Sequence, residues 1–458
     1  MAYKKTLSLR EGSKVIMQLN SCRWLSICVS PHLDAIVKAL SRKCYDFFFL
    51  FQTEDQGAMR RDVGWHSNIP YCARQYEKED WHSCVSCELY IDNLRNLDIL
   101  ETRAKVGKIS VYMGERWFKP PLGFLRVFVP SYYKMAKRFI RIFHMGNLLL
   151  FPAGIHAVRD MLRLIQFFKG DLRTIFSSPK IAFESRPGGR IYLLRDAYRL
   201  GLLTDKDYRM GNKVGFVQIL REKWNAKTYS SAMKNIFLGG YIVESTLSPS
   251  SLSRLTTIQQ GTKERPFRIL WAGRMLDWKR VNVLITAVRR LMKQGFHISL
   301  LIVGKGSERK RLLTCANGYA DILADEEHQV INDETHSSWD NLFKDQTILF
   351  SPYLKNTVIQ RLMRETIDLY VMPSDGGEGW GAVVSEAILA NCPVLSTFEA
   401  GSSATLLPKN LLYPAKSVKV LARMLEDTSF YVPDKVAITW TGENYAKILL
   451  QSYKTREL

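Results

Sequence analysis

Acidic residues are scarce in this chain: 44 Asp and Glu stand against 65 Lys and Arg in 458 residues, for a formal net charge of +21. That deficit directs attention to anionic partners, whether nucleic acid, an anionic membrane face or phosphorylated small molecules. Long apolar runs are missing as well. The most apolar short stretch, Phe47 to Phe51, is far below the roughly 20 residues that span hydrocarbon and suits a buried strand, so no spanning segment is expected. The amino terminus reaches Arg10 without an apolar core of signal-peptide length, from which a cytoplasmic protein is expected. Proline is limited to 16 residues while hydrophobic residues make up 46%, which excludes a disordered or collagen-like chain. Cysteine is limited to eight and, with no secretory context, reads as reduced thiols. Cys84 and Cys87 form one C-x-x-C, with Cys72 and His82 nearby. The stretch reads as helix, where an i,i+3 pair shares a face, and no second C-x-x-C completes a zinc ligand set.

What is present is alternation. The length suits two α/β domains, each able to bury most of its apolar surface. Trp24 to Val29, Phe47 to Phe51, Ile109 to Tyr112 and Leu148 to Phe151 are short apolar runs separated by longer amphipathic stretches. That is βα alternation with a mostly parallel sheet. Between Tyr241 and Pro266 the chain becomes rich in Ser and Thr, and the alternation then resumes with Arg268 to Ala272, Ser299 to Val303, Leu369 to Met372 and Val394 to Ser396, with a helix expected over Val281 to Lys293. The pattern predicts two Rossmann-like, doubly wound α/β domains, at 1–245 and 266–435, joined by a linker at 246–265. Residues 436–458 are read as a helix returning to the first domain, from the helical spacing between Trp440 and Ser452.

A different texture occupies Arg116 to Arg159. Lys119, Arg126, Lys134, Lys137, Arg138 and Arg141 are interleaved with aromatic and aliphatic residues, and no Asp or Glu occurs. One reading is a segment lying on an anionic bilayer, at the inner face of the membrane. The other is an ordinary amphipathic helix with a solvated charged face.

Three pieces of the second half belong together. Arg268 to Ala272 runs into Gly273-Arg274, and Lys279 follows five residues later. Both cations lie past the carboxyl end of a strand, where open α/β sheets bind ligands. Leu300 to Val303 ends in Gly304-Lys305-Gly306, a turn whose backbone can approach a ligand closely. Leu369 to Met372 ends in Pro373-Ser374-Asp375-Gly376-Gly377-Glu378-Gly379-Trp380-Gly381, and the helix beyond carries Glu386. Glycines ahead of a helix let backbone N–H groups meet a phosphate. Taken singly, these residues also read as surface cations, solvated carboxylates and turn formers.

The stretches FRILWAGRMLDWKRVNVLI, SLLIVGKGSERKRLL and IDLYVMPSDGGEGWGAVVSEAILANCPVLST resemble the family 4 retaining glycosyltransferases (glycosyltransferase group 1), of polysaccharide-assembling type. The resemblance implies the B-type glycosyltransferase fold, with two Rossmann-like domains facing across a cleft. It is strong from about Phe267 to about Ser396, and ETRAKVGKISVYMGERWFK, Glu101 to Lys119, resembles the acceptor-side half. In that family a Gly-Arg and a downstream Lys hold the donor diphosphate, and two Glu separated by seven residues hold the sugar and the ribose. Arg274, Lys279, Glu378 and Glu386 occupy those positions, with Gly273, Gly304, Gly306, Gly379 and Gly381 around the nucleotide sugar. The implied reaction transfers a sugar from a nucleotide-diphosphate sugar to a saccharide or lipid-linked saccharide acceptor with retention. It needs no cofactor beyond the donor, and cations replace a metal ion at the leaving group. His156, after the run ending at Phe151, is a candidate donor to the transferred sugar or its phosphate. Asp205-Lys206-Asp207 matches D-x-D formally but sits in a polar turn and reads as solvated. A sugar-nucleotide epimerase of related fold and a silent nucleotide-sugar-binding protein are the alternatives. Nucleic-acid binding is not expected, because no helix-turn-helix, zinc-finger or aromatic RNA-platform motif accompanies the charge.

Overall fold

The computed structural model describes residues 18–28, 30–53, 72–176, 181–193, 234–243, 255–332, 339–433 and 440–457. The Asp205-Lys206-Asp207 turn and the expected linker as far as position 254 lie outside the described residues.

The first half supplies β1 (Leu19–Ser26), β2 (Cys44–Phe51), β3 (Ala73–Gln75), β4 (Leu89–Asp92), β5 (Ser110–Gly114) and β6 (Leu148–Pro152). They form one sheet in the order β3-β2-β1-β4-β5-β6, parallel throughout. A small antiparallel pair follows, β7 (Ile181–Phe183) with β8 (Ile191–Leu193). The second half supplies β9 (Phe267–Ala272), β10 (Ile298–Val303), β11 (Ala320–Ile322), β12 (Thr347–Ser351), β13 (Leu369–Met372), β14 (Val394–Thr397) and β15 (Leu412–Tyr413). Their order is β11-β12-β10-β9-β13-β14-β15, again parallel. Both sheets therefore reverse direction beside their first strand, between β1 and β4 and between β9 and β13. At such a switch point adjacent loops diverge to opposite faces and leave a crevice at the carboxyl ends of the strands. The expected α/β architecture of two doubly wound domains is the observed one.

Strand burial explains the apolar runs that announced these elements. In β9, Leu270 and Ala272 join the core shared with the first sheet, whereas Ile269 and Trp271 join a second core beneath helices Val281–Lys293 and Val418–Asp427. Alternation with period two thus serves two buried faces instead of one wet and one dry. The shared core passes between the halves through Trp380 and Trp440, whose ring centroids are 5.7 Å apart, and Tyr241, 6.4 Å from Trp380. Helix Gly442–Glu457 packs against helix Pro31–Ser41 of the first half. Arg42 and Lys43 ion-pair with Glu443 at 2.7 and 3.0 Å.

Arg103 is fully buried, yet its guanidinium is satisfied. It donates to the carbonyl oxygens of Cys84, Val85, Cys87, Glu88 and Ile109 and to Ser110 Oγ, at 2.7 to 3.0 Å. A buried cation that lost these acceptors would cost several kcal/mol. The C-x-x-C accordingly belongs to a structural knot. Helix Asp80–Ser86 ends at it, and burial pushes the Cys84 thiol up to about 12, away from the thiolate a metal needs. Among the described residues no group of three or more His, Cys, Asp or Glu is placed to hold a metal ion.

The basic stretch divides in a way the sequence does not reveal. Helix Pro130–His144 turns Phe139, Ile140, Ile142 and Phe143 into the core. Arg138 bonds Glu101 and Asp98, and Arg141 bonds Glu101, all at 2.6 to 2.7 Å. Two of the cations expected to face lipid are therefore tied to helix Leu97–Lys105. No helix among the described residues is long and apolar enough to cross a membrane.

Candidate functional site

The site lies at the switch point of the second sheet, facing the carboxyl ends of β5 and β6. After β9 the chain passes Gly273 and Arg274 into a short turn, Asp277–Lys279. Arg280 follows with φ 50° and caps helix Val281–Lys293. After β13, paired beside β9, comes the glycine-rich loop, and helix Ala382–Leu389 begins at Gly381 with φ 81°. A non-glycine residue is strained at that φ, and a Cβ on Gly381 would also run into the Met372 side chain.

The two loops are laced together. The Asp375 N–H donates to the Trp278 carbonyl at 2.8 Å, Arg280 Nε donates to Asp375 Oδ2 at 2.8 Å, and the Gly377 N–H donates to Asp375 Oδ1 at 2.9 Å. Lys279 Nζ donates to Glu378 Oε2. Two residues read separately from the sequence, one for diphosphate and one for sugar, are thus bonded to each other. Burial opposes ionisation of Glu378, but Lys279 and the additional cation Lys119 hold its carboxyl below the ordinary carboxylate range. Arg274 is exposed, and its charge acts on the neighbouring Tyr353 hydroxyl.

Glu386 differs from Glu378. It is 3% exposed, no charged or hydrogen-bonding neighbour among the described residues offsets its burial, and its carboxyl is pushed up to about 7. Burying an acid without partners is costly, so a ligand hydroxyl that donated to it would recover part of that cost. The glycines of the neighbouring turn have a different reason. A Cβ on Gly304 would run into the Gly273 carbonyl, and one on Gly306 into that of Met275. Their small size lets the two strand-end turns pack on each other, and the Gly273 N–H donates to Val303 O and the Met275 N–H to Lys305 O at 3.0 and 2.8 Å.

The opposite wall comes from the first half. Past β5, Glu115 ion-pairs with Lys119 at 2.6 Å, and its carboxylate fills the space that a Cβ on Gly379 would need. Arg116 donates to the Gly376 carbonyl at 3.4 Å, and its Nε is 3.6 Å from Asp160. Asp160 also accepts from the N–H groups of Trp117 and Phe118, at 3.1 Å each. Past β6, Gly154 has φ 84°, and a Cβ there would stand 3.0 Å from Gly401 O and 3.1 Å from the Trp380 ring. It starts helix Ile155–Phe167, which lies against helix Gly401–Leu406. The Ile155 N–H donates to Thr405 Oγ1 at 3.2 Å.

His156 is on the first turn of that helix, with Nε2 2.6 Å from the Phe398 carbonyl. A carbonyl only accepts, so Nε2 carries the hydrogen and Nδ1 is the acceptor. Burial and then the cations Arg159 and Arg116 push its pKa down to about 3, so the ring is neutral at physiological pH. Its one N–H is committed to Phe398 in this conformation.

The second-half candidates Gly273, Arg274, Lys279, Gly304, Gly306, Glu378, Gly379, Gly381 and Glu386 all fall on or beside these two loops. Glu115, Arg116, Arg159 and Asp160 were not singled out from the sequence. Gly114-Glu115-Arg116 directly past an apolar run was the available signal, of the same kind as Gly273-Arg274.

Residues 254–428 match the family described as glycosyl transferases group 1. That match supports a glycosyltransferase enzyme. Solved structures similar to this chain include Anabaena Alr3699/HepE in complex with UDP, at 12% identity over 95% of this chain and 97% of that one, TM-score 0.43. A UDP-forming trehalose-phosphate synthase from Burkholderia xenovorans has 11% identity over 96% and 95%, TM-score 0.44. The catalytic domain of cholesterol-alpha-glucosyltransferase from Helicobacter pylori has 18% identity over 42% of this chain and 99% of that one, TM-score 0.25. No curated protein matches the sequence.

Proposed function

We propose that the cleft transfers a sugar from a nucleotide-diphosphate sugar to a saccharide or lipid-linked saccharide acceptor, with retention and without a metal ion, as family 4 glycosyltransferases do. The observation that carries this reading is the convergence, at one switch point, of Arg274, the Lys279–Glu378 pair and the buried Glu386. Charge grows on the departing diphosphate in the transition state, and preorganised cations aimed at it lower the barrier. Arg274 supplies one. Lys279 supplies the other by leaving Glu378 as the diphosphate enters, so a strong ion pair is exchanged for another and the freed carboxylate accepts from sugar hydroxyls. Glu386 accepts from the ribose, which gives its buried carboxyl a hydrogen-bonding partner. The N-terminus of helix Ala382–Leu389 adds its dipole at the phosphate. His156, neutral at the working pH, exchanges the Phe398 carbonyl for a hydroxyl of the transferred sugar. Retention follows when the leaving diphosphate itself removes the acceptor proton, so this reading assigns no protein nucleophile.

The experiment is release of nucleoside diphosphate from a panel of nucleotide sugars in the presence of a membrane extract as acceptor source. Turnover of one donor, unchanged by chelator, is expected. Donor binding without release under every acceptor condition would leave a silent binding protein, and interconversion of free nucleotide sugars would mark an epimerase.

A further inference from the structure

Six of the sixteen large apolar side chains exposed among the described residues, Leu122, Leu125, Phe128, Val129, Leu172 and Phe176, lie in or directly beside two short turns. The first turn, Gly123–Phe128, leads into helix Pro130–His144; the second, Leu172–Ile175, follows helix Ile155–Phe167. Leu122, Leu125 and Phe128 are 50 to 54% exposed, Leu172 is 62% exposed and Phe176 is 89% exposed. Scattered apolar residues on a surface are ordinary, whereas grouped ones mark a contact.

The two turns form one face, and Arg163 joins them. Its guanidinium lies 4.1 Å from the Phe124 ring centroid in the first turn and donates to the carbonyls of Thr174 and Ile175 in the second, at 2.8 to 3.0 Å. Phe128 stacks edge-on against Phe167 at 5.9 Å, and Tyr133 meets Phe168 at 5.2 Å. The protruding residues are therefore held outward by a rigid base. Around them stand exposed Lys134, Lys137 and Lys169. No acidic residue occurs between Arg116 and Arg159, and Asp171 is the acid of the second turn. The anionic residues nearest to helix Pro130–His144 in the fold, Asp98 and Glu101, are consumed by Arg138 and Arg141.

We infer that this face docks on an anionic lipid bilayer, with the two turns inserted among the headgroups and the lysines at the phosphates. Charge complementarity selects the occupant. A cationic rim around apolar tips, on a chain carrying +21, matches phosphate headgroups over an acyl boundary. The same charge would repel a second copy of the chain at the rim. The inserting residues are those of the turns, since the apolar stripe of helix Pro130–His144 is already buried in the core. The face also adjoins the cleft: Arg116 donates to Gly376, and a Cβ on Gly376 would be 3.3 Å from Pro120 Cγ, two residues before the face begins at Leu122. Docking would thus present the acceptor wall of the cleft to the membrane, a consequence that rests on the function proposed above; the docking itself does not.

The test is co-sedimentation of the full chain with vesicles of phosphatidylcholine alone and of phosphatidylcholine with phosphatidylglycerol, at two salt concentrations. Light scattering in parallel reports the oligomeric state, and circular dichroism the folding. Wild type is expected to pellet with the anionic vesicles and to be released by salt. Leu125→Ser with Phe128→Ser is expected to weaken partitioning about tenfold or more, from the apolar burial lost. Phe176→Ser, on a second turn, checks the result should the double variant fold poorly, and Leu255→Ser, an exposed apolar residue elsewhere, should change nothing. The inference is overturned if folded wild type ignores anionic vesicles, if neither turn variant weakens binding, or if the variants instead dissociate an oligomer. Nucleoside diphosphate release with a soluble acceptor, measured on the same samples, reports on the transferase reading separately.

Discussion

At the scale of the residue, Glu386 and Glu378 show how position in one helix and loop sets opposite chemistry. Glu378 is half-buried beside Lys279, whereas Glu386 is buried with no such counterpart among the described residues. With a folded pKa of about 7 against 4.5 unfolded, Glu386 binds its proton more tightly in the native state. The contribution is therefore fully present below pH 4.5 and is lost as pH rises through 7, by an amount on the order of 3 kcal/mol. Glu386→Gln removes that dependence. Urea unfolding at pH 5 and pH 8 should show the variant losing less stability between them than wild type, while its donor affinity falls because an amide replaces a charged acceptor. Parallel pH dependences in the two proteins would contradict the assignment. These two glutamates were legible in the sequence because their spacing is local, a single strand-turn-helix. Glu115, Arg116 and the bond between His156 and Phe398 were not, since each depends on a partner more than 200 positions away.

At the scale of the element, the strands with long apolar runs, such as β6, β9, β10 and β13, were readable within a residue or two, because a parallel strand buried on both faces leaves an unbroken apolar signature. β4 escaped, being four residues long and ending in Asp92. Helix Pro130–His144 was readable as amphipathic, but not which face was wet. Two of its cations, Arg138 and Arg141, are neutralised by residues 37 to 40 positions upstream, which no local period reports. The glycine-rich loop is where two elements from different halves meet. Gly379→Ala should drive its new methyl into the Glu115 carboxylate, and the far end of a flexible side chain can be removed. The single substitution should therefore lower the melting temperature and turnover, and Glu115→Ala in the same chain should restore most of the melting temperature. A double-mutant cycle reads the coupling. Additive effects would mean that Glu115 and Gly379 do not share this space in solution.

At the scale of the whole molecule, the turns past β5 and β6 of one parallel sheet meet the switch-point turns past β9 and β13 of the other, and the seam of Trp380 and Trp440 joins the two halves. Turns beyond β9 and β13 gather the cations and carboxylates on one wall, while those beyond β5 and β6 bring Glu115, Arg116 and His156 to the other. In the proposed transfer Arg274 and Lys279 act on a departing diphosphate, which makes their loss a defect in the chemical step. The direct measurement is the steady-state rate of Arg274→Ala, Lys279→Ala and the double variant on a confirmed donor, with and without chelator. Each single variant is predicted to lose about 100 to 1,000-fold in kcat, the double variant less than the product because both cations serve one charge, and chelator to leave wild type unaffected. Near-normal kcat in both alanine variants, or activity abolished by chelator and returned by Mg²⁺ or Mn²⁺, would contradict the account.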